Sequence, residues 1–198
     1  LAVSSRFDAQ INRVNAVSFY GIMYGYTSVT DESDAAMEPP MVWITNEKDR
    51  SPAELIWVPN NAWGNLGGSL LNLSYGTGKA FLVPHEEVNG KWQGAVCELP
   101  MPAFATGIMR GRFGSDGALY TCGMFAWAGN ATAAGGFHRI RRGERAAQVP
   151  LMVKAAKGTM SVTFSDLIDP TDCAMKVWSL KRTKNYGSKH YDEHELTI

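Results

Sequence analysis

Two arginines one residue apart, Arg110 and Arg112, stand in the stretch MRGRFGSDGALYTCGMF, residues 109–125. On a strand, residues two apart leave the same face. Two guanidiniums side by side repel unless an anion lies between them, and arginine suits bidentate contact with carboxylates. The pair therefore points to one of three arrangements. It clamps an anionic ligand, it ion-pairs with an Asp or Glu of a neighbouring element, or it snorkels to solvent. Ile108 shares the face of the arginines, while Met109, Gly111 and Phe113 take the other.

Other residue types invite chemistry and mostly decline it. HYDEHE, residues 190–195, sets His190 and His194 four apart with Asp192, Glu193 and Glu195 around them. On a helix such histidines could hold zinc. Gly187-Ser188 before them and Leu196-Thr197-Ile198 after them favour an extended chain, in which His190, Asp192 and His194 share one face that could also chelate; a solvated polar edge is expected and no metal ligand is assigned. SYGTGKAF (74–81) lacks the G-x-x-x-x-G-K-[ST] of a phosphate loop, because Ala80 follows Lys79; a turn is expected. His85 shows no orienting partner and reads as loop surface. His138, among cations in GGFHRIRR, reads as a packing residue whose charged form those cations disfavour. Six tryptophans could stack on sugar rings, yet most are expected in the core. Trp63, in NNAWGNLGG, is the most loop-like and the best candidate for an exposed platform. Cys97, Cys122 and Cys173 form no C-x-x-C and read as buried thiols. Asn72 and Asn130 begin N-x-[ST] triplets, the first inside an expected strand. No catalytic residue is identified, and whether the chain is an enzyme stays open.

The elements that must position these residues are short strands. Gly (20) and Pro (9) punctuate the chain every few residues, and aromatics sit in short runs between them. Strands are expected near 17–24, 41–45, 54–58, 69–75, 79–84, 92–98, 107–113, 118–125 and 136–141, and then near 150–155, 159–164, 174–181 and 193–198. Asp116-Gly117 and Asn89-Gly90 are hairpin turns, since such turns need positive φ. TDESDAAMEPP (30–40) reads as a surface loop. GGSLLNLSYGTGKAFLV, from Gly67, and DGALYTCGMFAW, from Asp116, form a weak internal repeat in which Gly68 aligns with Gly117. A period of roughly 40–50 residues suits propeller blades, with a β-sandwich as the alternative. RIRRGERAAQVPLMV (139–153) has the composition of an inter-domain linker. The expected class is therefore all-β, with a partial β-propeller over residues 1–147 and the start of a sandwich (Ig-like) module over 148–198.

The chain has 198 residues, 45% of them hydrophobic and 19% charged, which is enough for a real core. Basic and acidic residues both number 19, so composition points neither to nucleic acid nor to an anionic membrane surface. No apolar run approaches the roughly 20 residues of a transmembrane helix. LAVSSRFDAQ at the start carries no signal-peptide features and reads as the beginning of a piece of a longer, or processed, polypeptide.

PPMVWI, LLNLSYGTGKAFLVPHEEVNGKWQGAVCELP, GIMRGRFGSDGALYTCGMFAW and GGFHRIRR together resemble the last blades of a glucose/sorbosone dehydrogenase-like β-propeller. The group it is most similar to comprises large secreted proteins, typical of planctomycetes and verrucomicrobia, that couple the propeller to a c-type cytochrome domain. The tail VTFSDLIDP…VWSLKRTKNYGSKHYDEHELTI is similar to the sandwich-like module after that propeller. The resemblance implies a fragment of a periplasmic or extracellular sugar or alcohol dehydrogenase linked to cytochrome c. It implies no cofactor held by this segment alone, but a quinone of the pyrroloquinoline type or a haem c in the full-length protein. Arg110 and Arg112 resemble the arginines that hold such a quinone. The partners implied are the remainder of the polypeptide or partner subunits, a cytochrome c and a sugar. The earlier blades and the haem motif C-x-x-C-H are missing from this chain. Hence the alternative, a non-catalytic propeller segment docking within a larger redox or membrane assembly. Blades need neighbours to bury their faces, so the isolated chain is expected to be unstable.

Overall fold

The structure is a computed structural model that describes residues 2–3, 9–11, 13, 40–44, 48–49, 51–126, 131–172, 178–182 and 193–197. In chain order its strands are β1 (Ala2–Val3), β2 (Ala9–Ile11), β3 (Val42–Ile44), β4 (Pro52–Trp57), β5 (Leu70–Ser74), β6 (Ala80–Leu82), β7 (His85–Val88) and β8 (Lys91–Gly94). They continue with β9 (Cys97–Glu98), β10 (Gly107–Phe113), β11 (Leu119–Met124), β12 (Gly135–Ile140), β13 (Pro150–Ala156), β14 (Thr159–Phe164), β15 (Trp178–Arg182) and β16 (Glu193–Thr197). The only helical pieces among the described residues are 3-10 turns at Gly64–Leu66 and Pro170–Asp172. The protein is thus nearly all-β. Its sheets are small and antiparallel, and none among the described residues closes into a barrel. No helix there is long and apolar enough to cross a membrane.

Contacts divide the chain into two compact units. The first comprises Leu1–Arg13 and Pro40–Leu167, the second Val14–Pro39 and Ile168–Ile198. The hairpin β13–β14, and with it residues 148–167, packs with the first unit; the hairpin β15–β16 belongs to the second. The strand expected near 17–24 and most of the loop at 30–40 lie outside the described residues.

Within the first unit, β4, β5, β6 and β9 form one sheet, and β10, β11 and β12 another. In the first, the run LLNLS leaves no position for water, and all five residues of β5 are buried. Leu71 and Leu73 point into the main core with Ala80, Leu82, Ile108 and Leu119. Leu70, on the opposite face, joins Ile11, Val42, Ile44 and Val83 in a second core. Asn72 and Ser74 share Leu70's side and meet fully buried Asp49. Asn72 Nδ2 donates to Asp49 Oδ2 at 3.2 Å and Thr77 Oγ1 to Oδ1 at 2.9 Å. The Ser74 hydroxyl also donates to Oδ1. Asn72 is therefore a fixed internal residue rather than an exposed glycan acceptor. Asn130 lies outside the described residues.

Three expectations need correction. The segment 92–98 is not one strand: β8 pairs with β7, β9 pairs with β6, and Ala95-Val96 separates them. β7 was not expected, and it places His85 in a strand rather than a surface loop. Ile108 does not share a face with the arginines. The register passes from Ile108↔Gly123 to Arg110↔Cys122, so Met109 is a bulge residue. The parity of the strand changes there, which puts Ile108 in the core with Gly111 and Phe113 while both arginines face out.

The expected turns are present. Asn89 and Gly90 have φ of 53° and 78°, the double positive pair of a type I′ hairpin. Gly117 has φ 74°, and Asp116 Oδ1 accepts from the Ala118 N–H at 3.1 Å. SYGTGKAF is a turn in which Lys79 Nζ reaches Glu98 at 2.7 Å.

Candidate functional site

Arg110 and Arg112 leave the exposed face of β10, across from Cys122 and Tyr120 of β11. Both donate from Nη1 to carbonyls of their own strand, Arg110 to Met109 O at 2.6 Å and Arg112 to Gly111 O at 2.5 Å. The anion that a guanidinium needs is supplied to Arg112 from within the chain. Its Nη1 lies 2.6 Å from Glu54 Oε1 on β4. The other oxygen of Glu54 accepts the Gly111 N–H at 2.6 Å. β10 is the edge of its sheet on that side, and Glu54 takes the outward N–H that a further strand would otherwise bond. The same contact holds Arg112 above its usual pKa, through hydrogen bonding first and charge second.

The residues that form a cavity suited to a ligand lie elsewhere. Trp57 ends β4 and is 57% exposed. His85 opens β7, and its ring lies edge-on to Trp57 with centroids 5.7 Å apart. Trp92, on β8, lies 5.8 Å from His85 on the far side of the hairpin turn. The Arg13 guanidinium carbon sits 4.4 Å over the Trp92 ring, a cation–π contact. These four side chains wall a groove of about 430 Å³ floored by Leu55 and Leu70. That volume falls in the range of ligand pockets, roughly 300–1,000 Å³.

Strand parity explains why the groove forms. On β4, Ile56 turns into the main core, so Leu55 and Trp57 must leave the opposite face. The hairpin β7–β8 then brings His85 and Trp92 to the same end. The His85 Nδ1 lies 2.8 Å from Val83 O. A carbonyl only accepts, so Nδ1 carries a proton, and in the neutral ring Nε2 is left as an acceptor. The groove thus offers two indole surfaces, one imidazole nitrogen and one guanidinium.

The expectation for Trp63 is reversed. Trp63 is 9% exposed and belongs to the main core, edge-on to Phe113 at 5.1 Å. The 3-10 turn Gly64–Leu66 folds the loop inward, and Trp57 is the exposed indole instead. Trp127 lies outside the described residues. Cys122 also departs from expectation: β11 alternates, and Cys122 is exposed on its open side. Cys97 is half-buried, and burial pushes its thiol pKa up, opposed by Lys48. His138 packs as expected, its ring 4.6 Å from Phe104 and its Nε2 3.1 Å from Thr106 Oγ1. His190 and Asp192 fall outside the described residues, while the backbone of His194 lies in β16 opposite Lys181. Among the described residues, no three His, Cys, Asp or Glu side chains converge on a point that could hold a metal.

Compared with known protein families, with curated proteins and with solved structures, the chain matches none.

Proposed function

We propose that this chain is a non-catalytic, ligand-binding segment of a larger secreted protein of the glucose/sorbosone dehydrogenase-like kind, and that its groove takes a sugar ring. The observation that carries this reading is the exposed Trp57 indole beside His85, Trp92 and Arg13. An apolar ring surface matches the C–H face of a pyranose, and His85 and Arg13 match its hydroxyls. The Glu54–Arg112 pair supports a structural use of at least one arginine. In this reading the quinone, the haem and the cytochrome c contact belong to other parts of the polypeptide, in the periplasm or outside the cell.

The test is a titration of the protein with glucose, sorbose and a disaccharide, followed by indole fluorescence and saturation-transfer NMR. Saturable binding in the wild type and its loss in Trp57→Ala are expected. The exposure of Trp57 makes a folding defect in that variant unexpected. Absence of saccharide binding, or equal binding by Trp57→Ala, overturns the proposal.

A further inference from the structure

A second cavity lies against the main core, and the sugar reading makes no use of it. The segment between β12 and β13 is RRGERAAQV, residues 141–149. With Trp63, Leu66, Leu99 and Met101 it lines a cleft of about 560 Å³. The floor is apolar: Trp63, Leu66 and Leu99 are core residues, and Met101 and Ile140 pack against them. The rim is cationic, with Arg141, Arg142 and Arg145.

The three arginines are not equivalent. Arg142 is fixed. Its Nη1 donates to Trp63 O at 3.0 Å and its Nη2 to Asp166 Oδ1 at 3.1 Å. Gly64, at φ +57°, leaves the space for it, since a Cβ there would collide with Arg142 Nη1. Asp166 is fully engaged: it also accepts the Ala147 and Gln148 N–H groups at 3.1 Å and the Ser165 hydroxyl at 2.6 Å. Arg141 and Arg145 are exposed, and neither meets a carboxylate among the described residues. Glu144 is the sole acid within 141–149 and is itself exposed. Two uncompensated guanidiniums therefore stand over an apolar cavity.

Two further observations mark the same place. Trp63 (φ 55°) and Gln148 (φ 50°) are two of the four non-glycine residues in left-handed conformation among those described, and both border the cleft. Such strain concentrates where a ligand is held. The Trp63 Nε1–H is buried with no acceptor, a rare condition for an indole in a packed core.

We propose that this cleft binds a small organic acid with an apolar body, its carboxylate or sulfonate at Arg141 and Arg145 and its body on Trp63, Leu66, Leu99 and Met101. Charge selects the acid group, and the floor selects an aromatic or medium-chain aliphatic body over a sugar or a bare inorganic anion.

The test uses 1-anilinonaphthalene-8-sulfonate and its uncharged counterpart N-phenyl-1-naphthylamine, whose fluorescence rises in apolar sites. The proposal expects one saturable sulfonate site per chain, displaced by decanoate and not by decanol. The double variant Arg141→Ala/Arg145→Ala should weaken sulfonate binding at least 10-fold and leave the uncharged probe unaffected. Trp57→Ala should leave both unchanged, so failure here is separable from failure of the sugar groove. Near-UV circular dichroism confirms that the double variant retains its packing. Equal affinity for the two probes, an unaltered double variant, or loss of sulfonate binding in Trp57→Ala overturns the assignment.

Discussion

The two larger sheets of the first unit are built on the same plan and buried to different depths. In each, a middle strand follows a glycine in left-handed conformation, Gly68 at φ 81° before β5 and Gly117 at φ 74° before β11. In each, the middle strand carries a buried polar residue at the equivalent place, Asn72 or Thr121. β5 is covered on both faces, while β11 is covered on one, with Leu119 and Thr121 inside and Cys122 and Met124 outside. β12 follows β11 in this: Phe137 is 71% exposed and stacks on Tyr120 at 5.9 Å. The difference shows what a continuous apolar run encodes. LLNL and AFLV are sides of two cores at once, whereas GGFHRI serves one core and leaves its other face open.

The comparison is broken most easily by matched phenylalanines. Phe81 on β6 is fully buried, and Phe81→Ala should cost ~3–5 kcal/mol in urea unfolding. Phe137→Ala, from the open face, should fall within about 0.5 kcal/mol of wild type. Comparable losses would mean that the open face is covered in solution.

The aligned polar pair sharpens it next. Asp49→Ala leaves Asn72, Ser74 and Thr77 without their common acceptor and should cost about 1–3 kcal/mol. Thr121 Oγ1 has no partner among the described residues. Thr121→Val keeps the shape and removes an unsatisfied group, so thermal unfolding should show a neutral or slightly raised midpoint. A clear loss in Thr121→Val would reveal a partner for that hydroxyl.

The smallest effect is electrostatic and confined to the rims. The Asp116 carboxyl is held below the usual carboxylate range by the Ala118 N–H first, then by Arg139 and Tyr120. Asp166 is lowered by Ser165 first, then by the Gln148 and Ala147 N–H groups and Arg142. Glu98 is lowered chiefly by Lys79, with Lys48 assisting. A depressed folded-state pKa contributes stability that is fully present above the ordinary carboxylate pKa. It is lost as pH falls through the lowered value. Unfolding midpoints should therefore be flat near neutrality and fall on acidification below the ordinary carboxylate range, less steeply in Asp166→Asn. A midpoint that rises on acidification would contradict these ion pairs.

The parts legible in the sequence were those in which residue type alone decides the backbone. Asn89-Gly90 and Asp116-Gly117 announced their hairpins because few other residues accept positive φ. β5, β6, β10, β11 and β12 were legible from apolar runs or alternation. β7 was not, because HEEV is polar and half of it faces water. It could have been inferred from Asn89-Gly90, since a two-residue turn demands equal arms. The loop-like setting of Trp63 misled because composition does not say which way a 3-10 turn folds. The groove needed three separate segments to meet, and no spacing within the chain records that.

The bulge at Met109 gives β10 a property that no substitution table would convey. It acts as a change of reading frame for the sheet: every side chain after it is assigned to the face opposite the one that counting from Ile108 would give. Pairing Met109 in register, with every residue kept, would turn both guanidiniums toward the apolar interior or force Ile108 out of it, whereas removing Met109 would leave Ile108 and Arg110 adjacent on their present faces. A relative in which that one residue is missing would carry the same arginines on the same outer face of an unbroken strand. Alignments across this strand therefore have to be judged by parity before they are judged by identity.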